Sequence, residues 1–208
     1  MGITGYTTFL ITSLLFIMSP GIDTIFILNK SIAQGRRSGV YATLGITTGV
    51  LVHTTFAALG LSLILAQSAM AFNVVKFAGA AYLIYLGITK LFAKDGLVQE
   101  RQDLPLTSIR KTYVAAVLTN TLNPKVAIFF LAFFPQFIDR AHLHSAAPFL
   151  LLGATYAIIG LLWFLTLTIF AGTFSHKLKG DPSFSYWLHK FSAVAFILMG
   201  IKVALTKK

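Results

Sequence analysis

The sequence predicts an all-α integral membrane protein of six transmembrane helices arranged as two inverted three-helix repeats. Three observations predict it: the composition is too apolar for a water-soluble domain, six stretches approach the length that crosses a bilayer, and the two halves carry matching motifs. Of the 208 residues, 56% belong to the set AVILMFWYC and 11% are charged, against about a quarter charged in an ordinary soluble domain. Nineteen Phe and seven Tyr suit a lipid-facing surface and the belts where bilayer meets water.

A helix crosses the hydrocarbon core with about 20 apolar residues, and the segments that approach this length cover about residues 6–28, 40–66, 70–92, 113–137, 146–174 and 190–206. The first has no Lys or Arg from Met1 to Met18; without the basic start of a signal peptide it reads as a retained helix. Only Gln67, Ser68 and their neighbours separate the second from the third, which predicts a tight helical hairpin. A polar stretch from Lys94 to Lys111, with Arg101, Arg110, Asp95, Glu100 and Asp103, then divides the chain. One membrane domain results, with repeat one over about 1–93, a cytoplasmic linker over about 94–112 and repeat two over about 113–208. The fifth segment is long enough to tilt, and the sixth is the shortest.

The formal charge of +11 and pI near 10.0 do not point to nucleic acid, because Lys and Arg lie mainly at the ends of apolar runs. Positive loops stay on the cytoplasmic side. Lys30, Arg36 and Arg37 mark loop one, Lys90, Lys94, Arg101, Arg110 and Lys111 loop three, and Lys177, Lys179 and Lys190 loop five. Loops two and four offer only Lys76 and Arg140. The N-terminus is therefore expected outside, although Lys202, Lys207 and Lys208 then fall outside as well, against the rule. Zero cysteines exclude disulfides, thiolate metal sites and Cys nucleophiles.

The repeat is visible twice. Lys76-Phe77-Ala78-Gly79-Ala80-Ala81-Tyr82-Leu83-Ile84 is matched by Lys190-Phe191-Ser192-Ala193-Val194-Ala195-Phe196-Ile197-Leu198, and Gly87-Ile88 by Gly200-Ile201. Ser19-Pro20-Gly21 in the first segment is matched by Asn123-Pro124-Lys125 in the fourth. Three helices precede the linker, so the second half crosses in the opposite sense.

Proline inside a helix removes a hydrogen bond and clashes with the preceding turn, and in lipid the freed carbonyls need partners or a protein-lined cavity. Ser19 before Pro20, and Asn123 before Pro124, read as an N-cap followed by proline at the first helical position. Each segment then consists of two half-helices whose inner N-termini favour an anion such as a carboxylate, with Gly21 allowing close approach. The bland alternative is a pair of packing kinks.

Asp23 is the only acid inside a predicted helix, an expensive placement. It binds a substrate ammonium, takes up a proton during coupled transport, or merely holds the broken backbone. Lys125 pairs with Asp23, attracts a carboxylate or snorkels toward an interface. Thr119, Asn120, Thr121 and Asn123 form a polar run that serves substrate, backbone or helix contacts. His53 is either a proton relay or a packing residue, and Gln136 and Asp139 end the fourth segment. Gly39, Gly45, Gly49, Gly60, Gly79 and Gly87 read as close-packing positions. His142, His144, His176 and His189 show no metal-binding spacing, so neither a metal nor a cofactor is expected. An intramembrane enzyme would need a nucleophile with its base, paired carboxylates or a metal cluster, which the chain does not offer.

The stretches SPGID, LNKSIAQGRRSG, LGITTGVLVH, KFAGAAYLIYLGITKL and NPKVAIFFLAFFPQFI together resemble the LysE/RhtB amino-acid exporter family over essentially the whole chain. The resemblance implies a six-helix exporter of the bacterial inner membrane, driven by the proton or ion gradient, whose partners are an amino acid, lipid and a coupling proton or ion. It puts the family's Pro-Gly box on Pro20, Gly21 and Asp23 and its Asn-Pro-Lys box on Asn123, Pro124 and Lys125. Many members of the neutral-amino-acid branch have proline after the glycine, where this chain has Ile22. The aspartate form of the box resembles the homoserine, threonine and leucine exporters. The substrate-binding and coupling set is thus Ser19, Pro20, Gly21, Asp23, Asn120, Asn123, Pro124 and Lys125. Export of another small solute, a passive channel and a structural membrane subunit are the rival readings, and a homo-oligomer is left open.

Overall fold

A computed structural model describes residues 2–61, 69–92, 107–173 and 182–205. Among them the chain is helical apart from its connections and one isolated antiparallel bridge, Ile3 to Ile138. The helices are α1 (Tyr6–Met18), α2 (Ile22–Phe56), α3 (Ala69–Phe92), α4 (Ile109–Thr121), α5 (Pro124–Ile128), α6 (Ala146–Ile169) and α7 (Pro182–Leu205). A π-helical turn, Ala57–Leu61, continues α2, and α5 passes into a π-helix, Phe129–Phe133, and a 3-10 turn, Phe134–Phe137. By length and composition three helices suffice to cross a membrane: Ile22–Gly60, Asn73–Phe92 and Ala146–Ile169. A fourth span results if Ile109–Thr121 and Pro124–Phe137, bent by 47°, count as one.

Several predicted boundaries move. The final helix starts at Pro182 rather than at 190, its first turns being too polar to register as an apolar run. Helix α4 starts at Ile109, capped by Ser108, whose hydroxyl accepts from Lys111 N; Arg110 and Lys111 are thus helical rather than linker. Residues 94–106 of the linker, the hairpin tip at Gln67 and Ser68, Lys177, Lys179, His176, Lys207 and Lys208 lie outside the described residues.

Loop one is the larger correction. Lys30, Arg36 and Arg37 lie within α2, which is interrupted only at Gly35 (φ 80°, ψ 171°), a conformation open essentially to glycine alone. A β-carbon on Gly39 would strike the Ser31 side chain. Those residues would be about 12 Å apart along a straight helix, so the chain folds back on itself at Gly35.

Glycines set the helix crossings. Gly45 lies against Tyr113 and Ala116 of α4, Gly49 against Asn120, and Gly153 of α6 against Thr54. Close packing thus holds at Gly39, Gly45, Gly49, Gly79 and Gly87, while a β-carbon on Gly60 would meet nothing within 4 Å among the described residues. Where α3 meets α7 the contacts are reciprocal: Gly87 faces Ala193 and Ile197, while Gly200 faces Ala80 and Ile84. Partners fall in number on one helix as they rise on the other, so the pair is antiparallel. The crossing obeys the Gly87/Gly200 register; the Lys76/Lys190 alignment is one residue out of it.

Phenylalanine is not mainly a lipid-facing residue here. Phe9, Phe16, Phe129, Phe130, Phe133, Phe134, Phe149 and Phe196 are fully buried and form the middle of the core, whereas Phe56, Phe77, Phe92, Phe170 and Phe191 are exposed. Their rings interlock at centroid separations of 4.2 Å for Phe16–Phe129, 4.8 Å for Phe129–Phe133 and 4.1 Å for Phe130–Phe134, the first and last closer than the roughly 4.5–7 Å usual for aromatic pairs.

Candidate functional site

Two helix breaks meet inside the bundle. Helix α1 stops at Met18, with Ser19 N donating to Leu15 O, and α2 begins at Ile22 after an extended Gly21. Ser19 therefore closes the first half-helix instead of capping the second, and the N-cap of α2 is Gly21, which has no side chain to serve. This corrects the capping role expected for Ser19; Pro20 sits in the connection rather than at the first helical position. The other break follows the sequence rule: Asn123 is the N-cap of α5, its Oδ1 accepting from Lys125 N at 3.0 Å, and Pro124 opens the helix.

The carbonyls freed by the first break go to two lysines. Lys125 Nζ donates to Phe16 O at 3.0 Å and Ser19 O at 2.9 Å, and Lys90 Nζ donates to Pro20 O at 2.7 Å. Lys125 also lies 4.5 Å from the centroid of Phe16 and 5.3 Å from that of Phe196, close enough for cation–π attraction. Its ammonium thus caps the C-terminal end of α1, where the helix dipole favours a cation. Snorkelling toward an interface is ruled out by this position.

Asp23 sits in the first turn of α2, where a negative charge suits the dipole. Its Oδ2 accepts from Asn120 Nδ2 at 2.9 Å, the Asn123 side chain is also close enough to donate to the carboxylate, and Lys125 and His53 are within electrostatic reach. Among the described residues Asp23 Oδ1, Asn120 Oδ1 and Ser19 Oγ are buried without a hydrogen-bond partner, and an unmet buried acceptor costs about 1–3 kcal/mol. His53 Nε2 donates to Asn120 O at 3.1 Å, and its ring stacks on Phe130 at 5.6 Å. These contacts fix the backbone of the Asp23 partner.

These groups line one cavity. Ser19, Gly21, Asp23, Asn120, Asn123 and Lys125 face it, and Phe16, Ile17, Ile46, Val50, Ala157 and Phe164 give it an apolar wall. About 20 Å³ is left inside, room for roughly one water and too little for an amino acid. Of the residues expected at the site, Pro20 and Pro124 act on the backbone and the other six line the cavity. From the polar run only Asn120 and Asn123 reach it. Tyr156 also lines the cavity, and it, Lys90 and Phe164 were not legible as site residues. Lys90 counts in the sequence as one more charge at a helix end, and nothing in the uniformly apolar fifth segment singles out the other two.

Comparison with known proteins agrees over the length of the chain. It is 29% identical over 201 residues to an uncharacterised membrane protein, YrhP, of Bacillus subtilis (strain 168), covering 92% of this chain and 94% of that protein. It is 32% identical over 197 residues to the homoserine/homoserine lactone efflux protein of Salmonella typhimurium, covering 94% of each. A leucine efflux protein of the same organism is 30% identical over 176 residues, covering 83% of this chain and 81% of that protein. No solved structure matches. The sequence pattern of the LysE type translocators matches residues 14–207, and the chain belongs to that family.

Proposed function

We propose that the protein is a secondary active exporter of neutral amino acids, such as threonine, homoserine or leucine, across the bacterial inner membrane. Alternating access coupled to the proton or ion gradient drives it. The observation that carries the reading is the pairing, in one buried cavity, of the unbonded acceptors Asp23 Oδ1 and Asn120 Oδ1 with the Lys125 ammonium. Two acceptors suit an α-ammonium and a cation suits a carboxylate. The apolar wall is what an uncharged side chain needs, and relatives named for leucine and homoserine efflux point the same way.

In this reading the chain crosses the membrane six times as two inverted repeats. The fold-back at Gly35 divides α2 between two crossings, which supports the count. The reciprocal, antiparallel crossing of α3 and α7 is what a two-fold axis in the membrane plane produces. The N-terminus lies outside, on the charge pattern.

The test loads cells with dipeptides and follows amino acids inside and out, with and without a proton gradient. Gradient-dependent efflux of neutral amino acids is expected, and Asp23→Asn is expected to lower it at least tenfold with the protein still present in the membrane. Normal export by Asp23→Asn would refute the site. Flux that only runs downhill would make the protein a channel.

A further inference from the structure

A second cavity, of about 200 Å³, lies at the end of the bundle that carries the N-terminus, between the start of α1, the 3-10 turn after α5 and the end of α7. Thr4, Thr8, Gln136, Phe137 and Lys202 line it. Far larger than the central void, it is roomy enough for a small solute.

Its chemistry is also that of a zwitterion site. Gln136 Nε2 is spent on Ala132 O at 3.2 Å, while its Oε1 is buried with no partner among the described residues and needs a donor. Lys202 brings an ammonium to the same space, 5.8 Å from the Phe137 centroid. This is one of the cations that break the positive-inside pattern.

A row of rings separates the two cavities. Phe16 walls the central one, Phe133 and Phe137 wall the outer one, and Phe129 bridges them: the centroid steps are 4.2, 4.8 and 4.9 Å. Three of the four rings stand on the π-helical and 3-10 stretch Phe129–Phe137. Such backbone departs from the α ladder and is frequent at functional sites.

We propose that the outer cavity is an exit-side binding site for the amino acid, with Lys202 taking the carboxylate and Gln136 Oε1 the ammonium, and that the Phe16–Phe129–Phe133 row is the gate between it and the central site. The proposal rests on the exporter reading and on its orientation.

The absence of native cysteine makes the test direct. Thr8→Cys, on an exposed position of the cavity wall, is treated in intact cells with a membrane-impermeant maleimide, with Thr4→Cys as the substitute if it is poorly expressed. Modification from outside is expected, slowed several-fold by external L-leucine or L-homoserine and not by L-leucinamide, which lacks the carboxylate. Lys202→Gln is expected to raise the leucine concentration for half-protection about tenfold, as loss of one charged contact would, and Lys202→Arg to restore it. Labelling without protection, protection that ignores Lys202, or labelling only from the cytoplasmic face overturns the proposal. Wild-type cells that export no amino acid overturn the exporter reading, and export is scored in the same cells, so the two failures are told apart.

Discussion

The two ends of the bundle are built from different side chains around the same central cavity. Toward the chain termini the space above Asp23 is filled by fully buried Phe9, Phe129, Phe130, Phe133, Phe134 and Phe149. Toward Gly35 the corresponding depth carries hydroxyls: Ser31, Ser38, Thr43, Thr112 and Thr168 are buried, with Thr43 and Thr168 sharing a hydrogen bond of 3.2 Å. Ser31 donates to Ile27 O and Thr168 to Phe164 O, so each satisfies its proton within its own helix and keeps an oxygen to offer. Rings close a path by packing and yield only if several move together. Hydroxyls tolerate water. Rings therefore dominate the packing at one end, while the other places several hydroxyls among its apolar side chains.

Removing a ring should disturb this asymmetry most. Phe129→Ala deletes the link between Phe16 and Phe133, and loss of a buried phenylalanine costs about 3–5 kcal/mol. A large fall in melting temperature in detergent is expected, with amino-acid leak that no longer needs the gradient. Unchanged melting and coupling would show that the rings do not seal this end. A smaller effect is expected at the junction of the two regions. A side chain on Gly49 would come 2.7 Å from Asn120 Cβ and Oδ1, so Gly49→Val displaces the partner of Asp23. Overpacking costs about 1–3 kcal/mol; efflux should drop several-fold in the loaded-cell assay while the protein still reaches the membrane. The hydroxyl end should respond least. Thr43→Val and Thr168→Val should each cost under about 1 kcal/mol, with a coupling near 0.6 kcal/mol in a double-mutant cycle, the average for hydrogen bonds between membrane helices. A coupling above about 2 kcal/mol would make that contact a structural latch and weaken the contrast.

Much of the site is legible from residues whose cost in a membrane is high. Pro20 and Pro124 announce the breaks because proline cannot hide in a helix, and Asp23 announces itself because an acid in lipid needs a reason. Asn123 caps as its type predicts. The aromatic end is not legible, because Phe129 and Phe92 are the same residue to a hydropathy scale although one is sealed in the core and the other faces outward. Gly35 escapes for a similar reason: the polar run from Asn29 to Arg37 looks like a loop, and only backbone geometry shows that one residue suffices to reverse the helix. Ser19 looks like a cap because its type fits either end of a helix break, and the lysines that bind the carbonyls decide which end it serves.

That single-residue reversal bears on how the chain enters a membrane. No slack lies between the helix that ends before Gly35 and the one that starts after it, so neither can be inserted and left to find the other. On the six-crossing arrangement proposed above, the two enter as a hairpin, with Arg36 and Arg37 at its tip on the cytoplasmic side. Among the described residues a β-carbon at residue 35 would meet no neighbour within 4 Å, yet it would impose about 1–3 kcal/mol of backbone strain. On that proposed arrangement the burden of such a substitution is expected to fall on biogenesis, with less correctly inserted protein recovered from the membrane.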